Sequence, residues 1–348
     1  MSSRPGIPRL GGTLQVGEVA FHVRKVLRRP IPEEAAPRET RLMAQALSGP
    51  HATRLALVRC LEGPEDAPAR QRARDGGRLA QRLRHPHIGQ VWQVHDTPAC
   101  LFIVSEYVSG HDLETVASLG AVLQCPPPPA FVCFIGAAVA DALDFAHQLT
   151  DEGGQPLGII HRGLSLENIW LGLKGEVKLT GFDGMFSKLE GRRLTTPHLL
   201  RGDMAYTAPE YVCRGQYDSR LDIFALGMVL LELLLGRHPL DDPDDVTPLS
   251  STESGPFKAE QPSWLPLDVL GARLLAFGPE AVERAARGAP APVVAILKQA
   301  LRHDPEQRYP TGGRMRDALR AWLASLPAPY TPEVAVEEVR RMEEELKG

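Results

Sequence analysis

The chain has 348 residues, of which 43% are hydrophobic, and a formal net charge of −4. This length suits one large or two modest globular domains. So small a net charge argues against nucleic acid or an anionic membrane as a partner. The five cysteines form no CxxC pair, which favours ordinary thiols in a reducing compartment. We therefore expect a cytoplasmic protein without a signal peptide or a membrane span.

The first third of the chain is predicted to form an antiparallel sheet with one helix. After a Gly/Pro-rich lead (1–17), five stretches rich in β-forming residues cover 19–27, 40–47, 53–61, 90–96 and 101–108. A basic helical pattern at 67–84 is interrupted by Gly76 and Gly77, each of which costs about 1 kcal/mol relative to alanine inside a helix. We expect this helix to be weak at its centre.

The arginines of that helical pattern admit two interpretations. They form either a solvated helix face or a docking surface for an acidic partner. The run consists of Arg70, Arg72, Arg74, Arg78, Arg82 and Arg84.

From about residue 109 the pattern becomes mainly helical. An apolar helix over 126–149 follows a run of prolines, and the stretch 219–236 is apolar on all sides and must be buried. Two short strand-like pieces lie at 168–173 and 176–182, and 241–266 is interpreted as a surface excursion. Further helical patterns cover 280–288, 292–301 and 313–326.

The C-terminal segment 327–348 is predicted to be an amphipathic helix that begins with a threonine N-cap and a proline. It has one apolar stripe, which is too short for a lone coiled coil. The stripe consists of Ala335, Val339, Met342 and Leu346. This helix either docks on its own domain or binds a partner.

Several motifs follow one another in a familiar order. "HRGLSLEN" (161–168) is followed by "LTGFDG" (179–184), "YTAPE" (206–210) and "DPEQRYP" (304–310). Over about residues 18–325 the sequence resembles the eukaryotic-type (Hanks-type) Ser/Thr protein kinases, including their bacterial members. The resemblance implies an α+β, two-lobed protein kinase-like fold. Its N-lobe (18–108) would hold a five-stranded antiparallel sheet plus one helix, and its C-lobe (109–326) would be mainly helical.

The resemblance also implies structural roles. Glu210 would pair with Arg308, and Asp222 would hold the backbone of the 161–168 loop. His161 and Phe182, with Ala80, would stack between the lobes.

Arg162 would bind a phosphate group on the segment 184–203, where Thr195 and Thr196 could be phosphorylated by another kinase. The other interpretation of that segment is an unmodified, solvated loop.

Phosphoryl transfer requires groups that position phosphates and metal, and most are replaced here. The family's pattern places Arg59 at the lysine position, Gly76 at the helix glutamate, Gly163 at the catalytic base, Ser165 at the following lysine and Gly181 at the metal-binding aspartate. Asn168 is the polar catalytic group that is retained. The segment 28–38, where a Gly-rich loop would lie, contains three prolines and no glycine.

Asp183 offers one alternative route to a metal site. It is shifted from the usual aspartate position by two residues, or about 6.6 Å in an extended chain. Asp183 could therefore bind a metal only if the loop is remodelled, and it is otherwise interpreted as a solvated loop residue.

The resemblance places an ATP cleft at Leu57, Arg59, Glu106, Val108 and Trp170. Leu57 and Trp170 replace the residues that pack on adenine, and a tryptophan buries on the order of 200 Å². Together they could fill the cleft. The alternative is that Trp170 packs in the large-lobe core and the cleft stays open.

These observations predict a pseudokinase, that is, a kinase-like protein without phosphotransferase activity that acts as a regulatory or scaffolding protein-interaction module in signalling. We expect no cofactor and a protein partner such as an active kinase or another signalling protein. The alternative is a divergent Ser/Thr protein kinase with residual ATP binding and phosphotransferase activity, which would use ATP and Mg²⁺.

Overall fold

The structure is a computed structural model, which describes residues 10–29, 38–187, 204–213, 218–241 and 267–347. The predictions for the proline-containing segment 30–37, for Thr195 and Thr196, and for the excursion at 242–266 concern residues outside these ranges. The chain divides into two compact units. Unit 1 comprises the chain up to Val108 together with Thr180–Gly184, and unit 2 comprises the remainder.

Unit 1 is an antiparallel sheet with one helix. Its elements are β1 (Thr13–Val16), β2 (Val19–Arg28), β3 (Arg38–Ala46), β4 (Leu55–Glu62), α1 (Pro68–Ala80), β5 (Val91–Asp96) and β6 (Cys100–Glu106). The six strands are ordered β1-β2-β3-β4-β6-β5, so the prediction of five strands was wrong by one. The missing strand, β1, has four residues and lies in the segment predicted to be an N-terminal lead. Leu14 and Val16 of β1 join the buried core of the sheet.

The two faces of β4 are chemically different. Ala56, Val58 and Cys60 are fully buried in the apolar core on one face. Leu57 and Arg59 alternate with them and therefore lie on the opposite face. On the neighbouring strand β3, Met43 and Arg41 stand opposite Leu57 and Arg59, so this second face carries the polar cluster described below.

Helix α1 continues through both of its central glycines, which are buried. A Cβ on Gly77 would lie 3.0 Å from Cγ2 of Val94 and 3.4 Å from Cδ1 of Ile103. Glycine therefore lets the helix approach strands β5 and β6 closely, which offsets its low helix propensity.

The arginines of this helix are not one solvated face. Arg70 is fully buried, and its Nη2 donates to Oδ1 of Asp96 at 2.6 Å. Nη1 of Arg74 donates to Oδ2 of the same carboxylate at 3.0 Å. The interpretation as a solvated face is wrong for these two residues. Both side chains turn towards the sheet, where they bond to Asp96 of β5. Arg78 and Arg82 are exposed.

Unit 2 combines a small antiparallel sheet with helices. Its elements are β7 (Gly110–Asp112), α2 (Leu113–Val122), α3 (Pro129–His147), β8 (Ile169–Gly172), β9 (Val177–Leu179), α4 (Pro209–Cys213), α5 (Arg220–Leu235), α6 (Leu267–Ala276), α7 (Pro279–Ala285), α8 (Ala291–Ala300), α9 (Gly312–Ala324) and α10 (Pro332–Lys347). The strands are ordered β7-β8-β9. α5 is buried on nearly all sides, which confirms the prediction from its apolar sequence.

Helix α3 is the core helix of unit 2 and packs against α5 and α9. Its length of 19 residues and mean hydropathy of 1.6 would allow it to cross a membrane, but 67% of the apolar stretch is buried inside the structure. Such burial is typical of a core helix in a globular protein.

Helix α10 packs on unit 2, as one of the two interpretations of its apolar stripe predicted. Ala335 and Val339 are buried, whereas Leu346 is exposed at the end of the stripe. Before the helix, the ring of Tyr330 lies 5.6 Å from that of Phe134. The first half of the stripe is therefore covered by the chain's own residues.

Candidate functional site

Arg59, at the lysine position of the motif, is held by two carboxylates of unit 1. Its Nε donates to Oε1 of Glu39 at 2.7 Å and its Nη2 donates to Oε2 of Glu39 at 3.1 Å. Its Nη1 donates to Oδ2 of Asp183. All three side chains are largely buried, with exposures of 18% for Arg59 and Asp183 and 12% for Glu39. Gly76, at the position of the helix glutamate, has no carboxylate, and Arg59 bonds to Glu39 and Asp183 instead.

Strand register and a tight turn bring these carboxylates to Arg59. Arg41 stands directly opposite Arg59, and Glu39 lies two residues before Arg41 on the same face of β3. Asp183 is in a 3-10 turn, Phe182–Gly184, which follows Gly181 at a φ of +88°. Phe182 is buried, and the turn packs against α1. The backbone that presents Asp183 thus includes a left-handed residue, which is glycine here and aspartate in kinases.

The charges in this cluster stabilise one another. Burial alone would raise the pKa of Glu39, but the hydrogen bond and charge of Arg59, together with the charge of Arg41, lower that pKa to about 2. Burial alone would lower the pKa of Arg59, and the charge of Asp183 and the hydrogen bonds that Arg59 donates to Glu39 raise it instead. Glu39 and Arg59 are therefore both ionised at neutral pH.

The structure corrects the interpretation of Asp183 as a solvated loop residue. Its side chain is 18% exposed and bonds to Arg59. A guanidinium on a carboxylate oxygen competes with a metal ion for the same lone pairs. Among the residues that the structure describes, no group of three His, Cys, Asp or Glu side chains could hold a metal ion.

In unit 2 the backbone of the 161–168 loop is held by Asp222. Its carboxylate accepts the N–H of His161 at 2.8 Å and the N–H of Arg162 at 2.9 Å. His147 contacts the same carboxylate through Nε2 at 2.8 Å. Burial alone would raise the pKa of Asp222, but the His147 contact lowers it. Arg162 adopts a φ of +60°, so this clamp fixes a backbone conformation that is uncommon for arginine.

The catalytic-base position within that loop holds no carboxylate. A Cβ on Gly163 would meet no atom closer than 3.9 Å, at the ring of His161, so glycine is not required there by crowding. Nδ2 of Asn168 donates to the Gly163 carbonyl at 2.7 Å and to Oγ of Ser165 at 3.3 Å. The retained amide therefore stabilises the loop.

A buried ion pair completes the framework of unit 2. Nη1 and Nη2 of Arg308 donate to the two carboxylate oxygens of Glu210 at 2.6 and 2.7 Å. The guanidinium also donates to the Arg302 carbonyl and lies 4.9 Å from the ring centre of Phe224. The pair implied by the motifs "YTAPE" and "DPEQRYP" is present, with its hydrogen bonds largely satisfied.

The residues assigned to an ATP cleft belong to both units. Leu57, Glu106 and Val108 lie in unit 1, where the Glu106 N–H donates to the Gln90 carbonyl at 2.8 Å. Trp170 is half-buried in β8 of unit 2. The filling of a cleft by Leu57 together with Trp170 stays a prediction.

The stack of His161 with Ala80 and Phe182 likewise joins residues of different units and stays a prediction. Ala80 and Phe182 belong to unit 1 and are buried there.

Sequence reasoning missed Glu39. It sought the partner of Arg59 on the helix at 67–84, whereas the partner lies on strand β3, which precedes the strand of Arg59. The available signal was the alternation in "RETRL" (38–42), which places Glu39 and Arg41 on one face. That signal becomes useful only when the register between β3 and β4 is known.

Comparison with known proteins agrees with the motifs. A family model described as "Protein kinase domain" matches residues 53–320. The chain belongs to the protein kinase family. It is a kinase-like protein with an α+β fold, in which an antiparallel sheet is followed by a mainly helical part.

Its relatives include bacterial and plant kinases. The chain is 34% identical over 252 residues to the tyrosine-protein kinase MasK of Myxococcus xanthus, covering 72% of this chain and 35% of the relative. It is 29% identical over 248 residues to the serine/threonine-protein kinase PrkC of Bacillus subtilis, covering 70% and 32%. The CBL-interacting serine/threonine-protein kinase 19 of Arabidopsis thaliana is 29% identical over 205 residues, covering 58% and 39%. The chain thus spans about a third of the length of these relatives.

Proposed function

We propose that this member of the protein kinase family is a pseudokinase that acts as a regulatory or scaffolding protein-interaction module in signalling. The observation that carries the proposal is the commitment of Arg59 to Glu39 and Asp183. A kinase lysine also pairs with one carboxylate, but Arg59 bonds to Glu39 and in addition to Asp183, so the carboxylate nearest in sequence to the metal-binding position is bound by a guanidinium.

The other replaced positions point in the same direction. Gly163 and Gly181 stand where a kinase has its catalytic base and its metal-binding aspartate. General-base assistance is worth about 10²–10⁴ in rate, and loss of metal and phosphate positioning removes more. The polar groups that remain, such as Asn168 and Asp222, bond to the loop backbone and stabilise the fold.

A divergent, active Ser/Thr kinase is the second candidate. Arg59 keeps a positive charge, Asn168 is retained, and the relatives are named as kinases. Under this candidate ATP and Mg²⁺ would be bound, and Asp183 would have to leave Arg59 to reach the metal.

The test is phosphate transfer by the purified full chain, incubated with labelled ATP, Mg²⁺ and a general protein substrate. We expect no transfer above that of a protein-free blank. We also expect no rise in the thermal unfolding midpoint with ATP and Mg²⁺. Asp183→Asn is the matched variant, because it preserves shape and removes the charge.

Transfer by the wild-type chain that is lost in Asp183→Asn would establish the active-kinase candidate. A midpoint that rises by several degrees with ATP and Mg²⁺, without transfer, would indicate a pseudokinase that binds nucleotide. Our proposal further includes a cytoplasmic location, no resident cofactor and a protein partner. Capture of a specific kinase or signalling protein by the full chain in its host would support the partner.

A further inference from the structure

Three arginines form a row across three neighbouring strands of unit 1. Arg28 of β2 stands opposite Arg41 of β3, and Arg41 stands opposite Arg59 of β4. Like charges that are directly opposite one another on adjacent strands are destabilising. An anion close to all three arginines would offset this repulsion.

Glu39 provides that anion. One oxygen, Oε1, accepts from Nε of Arg41 and from Nε of Arg59, each at 2.7 Å. The other, Oε2, accepts from Nη2 of Arg59 at 3.1 Å and lies 4.0 Å from Nη1 of Arg28. Several guanidiniums around one anionic group are the arrangement by which proteins bind phosphate and carboxylate groups.

We propose that the row of Arg28, Arg41 and Arg59 is a binding site for phosphate groups, and that Glu39 occupies it as a built-in anion that keeps external phosphate out. The inference rests on the proposed function, since it gives the physical reason why this unit would not bind a polyphosphate. Replacement of Glu39 by a neutral residue should therefore uncover the site.

Charge and accessibility support this reading of the row. With Glu39 and Asp183 in place, the three arginines retain a single net positive charge, and loss of the Glu39 charge leaves two. The side chains of Arg28 and Arg41 are 44% and 46% exposed, whereas that of Glu39 is 12% exposed. An anion from solvent can reach Arg28 and Arg41, but Glu39 fills the position between the three guanidinium groups.

The test is calorimetric titration of the full chain with tripolyphosphate and with inorganic phosphate, in nucleotide-free buffer at low salt. We expect no saturable binding of either probe to the wild-type chain at millimolar concentration. Glu39→Gln, which is nearly isosteric, should bind tripolyphosphate at least about tenfold more tightly, and the gain should weaken with added salt. Adding Arg41→Gln to Glu39→Gln should return binding to the wild-type level, which distinguishes the row from nonspecific attraction.

Binding by Glu39→Gln that is no tighter than that of the wild-type chain would overturn the inference. So would tight binding to the wild-type chain, since the site would then be open. If Glu39→Gln does not fold, Glu39→Asp decides the question. It keeps the charge, but its shorter side chain cannot bridge the row, so a smaller gain in tripolyphosphate binding supports the inference and no gain overturns it.

The outcome is separable from that of the proposed function. The titration uses no ATP and measures no transfer, so its failure would leave the absence of kinase activity untouched. Conversely, phosphate transfer by the wild-type chain would overturn the proposed function whatever the titration shows.

Discussion

The polar contacts of unit 2 match those that the protein kinase motifs imply, whereas the contacts of Arg59 in unit 1 do not. In unit 2, Asp222 bonds to the backbone of the 161–168 loop and Arg308 pairs with Glu210, as the protein kinase motifs imply. In unit 1, Arg59 stands at the position of a phosphate-binding lysine, but its partners come from β3 and from the 182–184 turn. The contacts of Asp222 and Arg308 are thus those that the family motifs imply. The contacts of Arg59, at the phosphate-binding position, differ from them. Loss of a partner from a buried ion pair costs about 3–5 kcal/mol, whereas loss of a ligand contact leaves the fold intact.

The largest expected effect is on the framework pair of unit 2. Glu210→Ala should lower the free energy of unfolding by about 3–5 kcal/mol, because it leaves the fully buried guanidinium of Arg308 without its carboxylate. Chemical denaturation measures this change. Glu337→Ala is the control, because its partner Arg340 is exposed and solvent screening should leave little effect on stability. Equal effects of the two substitutions would contradict the account.

Acid should destabilise unit 2 before it destabilises unit 1. His238 is fully buried, and burial lowers its pKa to about 3, from an ordinary value of 6.5. Because His238 takes up a proton at higher pH in the unfolded chain than in the folded chain, protonation favours unfolding. The contribution of neutral His238 to stability is complete above pH 6.5 and is lost as the pH falls towards 3. Unfolding free energies should fall by about 2 kcal/mol between pH 6.5 and 5. His238→Gln should flatten this part of the profile, and a wild-type profile that is already flat there would contradict the expectation.

Protonation of Glu39 should destabilise unit 1 only at a lower pH. Its pKa is about 2 in the folded chain and 4.5 ordinarily, so its contribution is present above pH 4.5 and is lost as the pH falls through 2. Amide hydrogen exchange resolved by segment can follow β3 and α5 separately as the pH is lowered. Loss of protection in β3 before α5 would contradict this order.

The Glu39–Arg59 pair should show a smaller energetic coupling than the buried pair of unit 2. A double-mutant cycle of Glu39→Gln and Arg59→Gln is expected to give a coupling energy of about 0.5–3 kcal/mol, because both side chains are less completely buried than Arg308 and Glu210 and Arg59 keeps Asp183 as a partner. Denaturation of the four chains measures this coupling. A coupling near zero would mean that the contact does not stabilise unit 1.

The smallest effect is expected from restoring the missing base. Gly163→Asp should change stability by less than about 0.5 kcal/mol, because a Cβ there meets no atom within 3.9 Å. It should also fail to restore phosphate transfer, since Gly181 still stands at the metal-binding aspartate position and Asp183 still bonds to Arg59. Transfer by Gly163→Asp, measured with labelled ATP, would show that unit 1 can still position phosphates.

The sequence predicted the parts of the site that lie within one motif. "HRGLSLEN" and "YTAPE" are contiguous, so the loop with Asn168 and the Glu210–Arg308 pair could be assigned by residue number. Contacts set by strand register could not be found in this way. Glu39 reaches Arg59 only because Arg41 stands opposite Arg59, and Arg70 of α1 is paired because Asp96 of β5 lies beside it. The strand β1 was missed because four residues within a glycine-rich segment carry little periodic signal.

The most direct test of the account is a single-turnover measurement, in which the full wild-type chain in excess is incubated for hours with labelled ATP and Mg²⁺. With Arg59 bound to Glu39 and Asp183, we expect formation of neither ADP nor phosphoprotein above the protein-free blank. Conversion of ATP to ADP in proportion to the chain, abolished by Asn168→Ala, would contradict the central claim that this kinase-family protein is a pseudokinase.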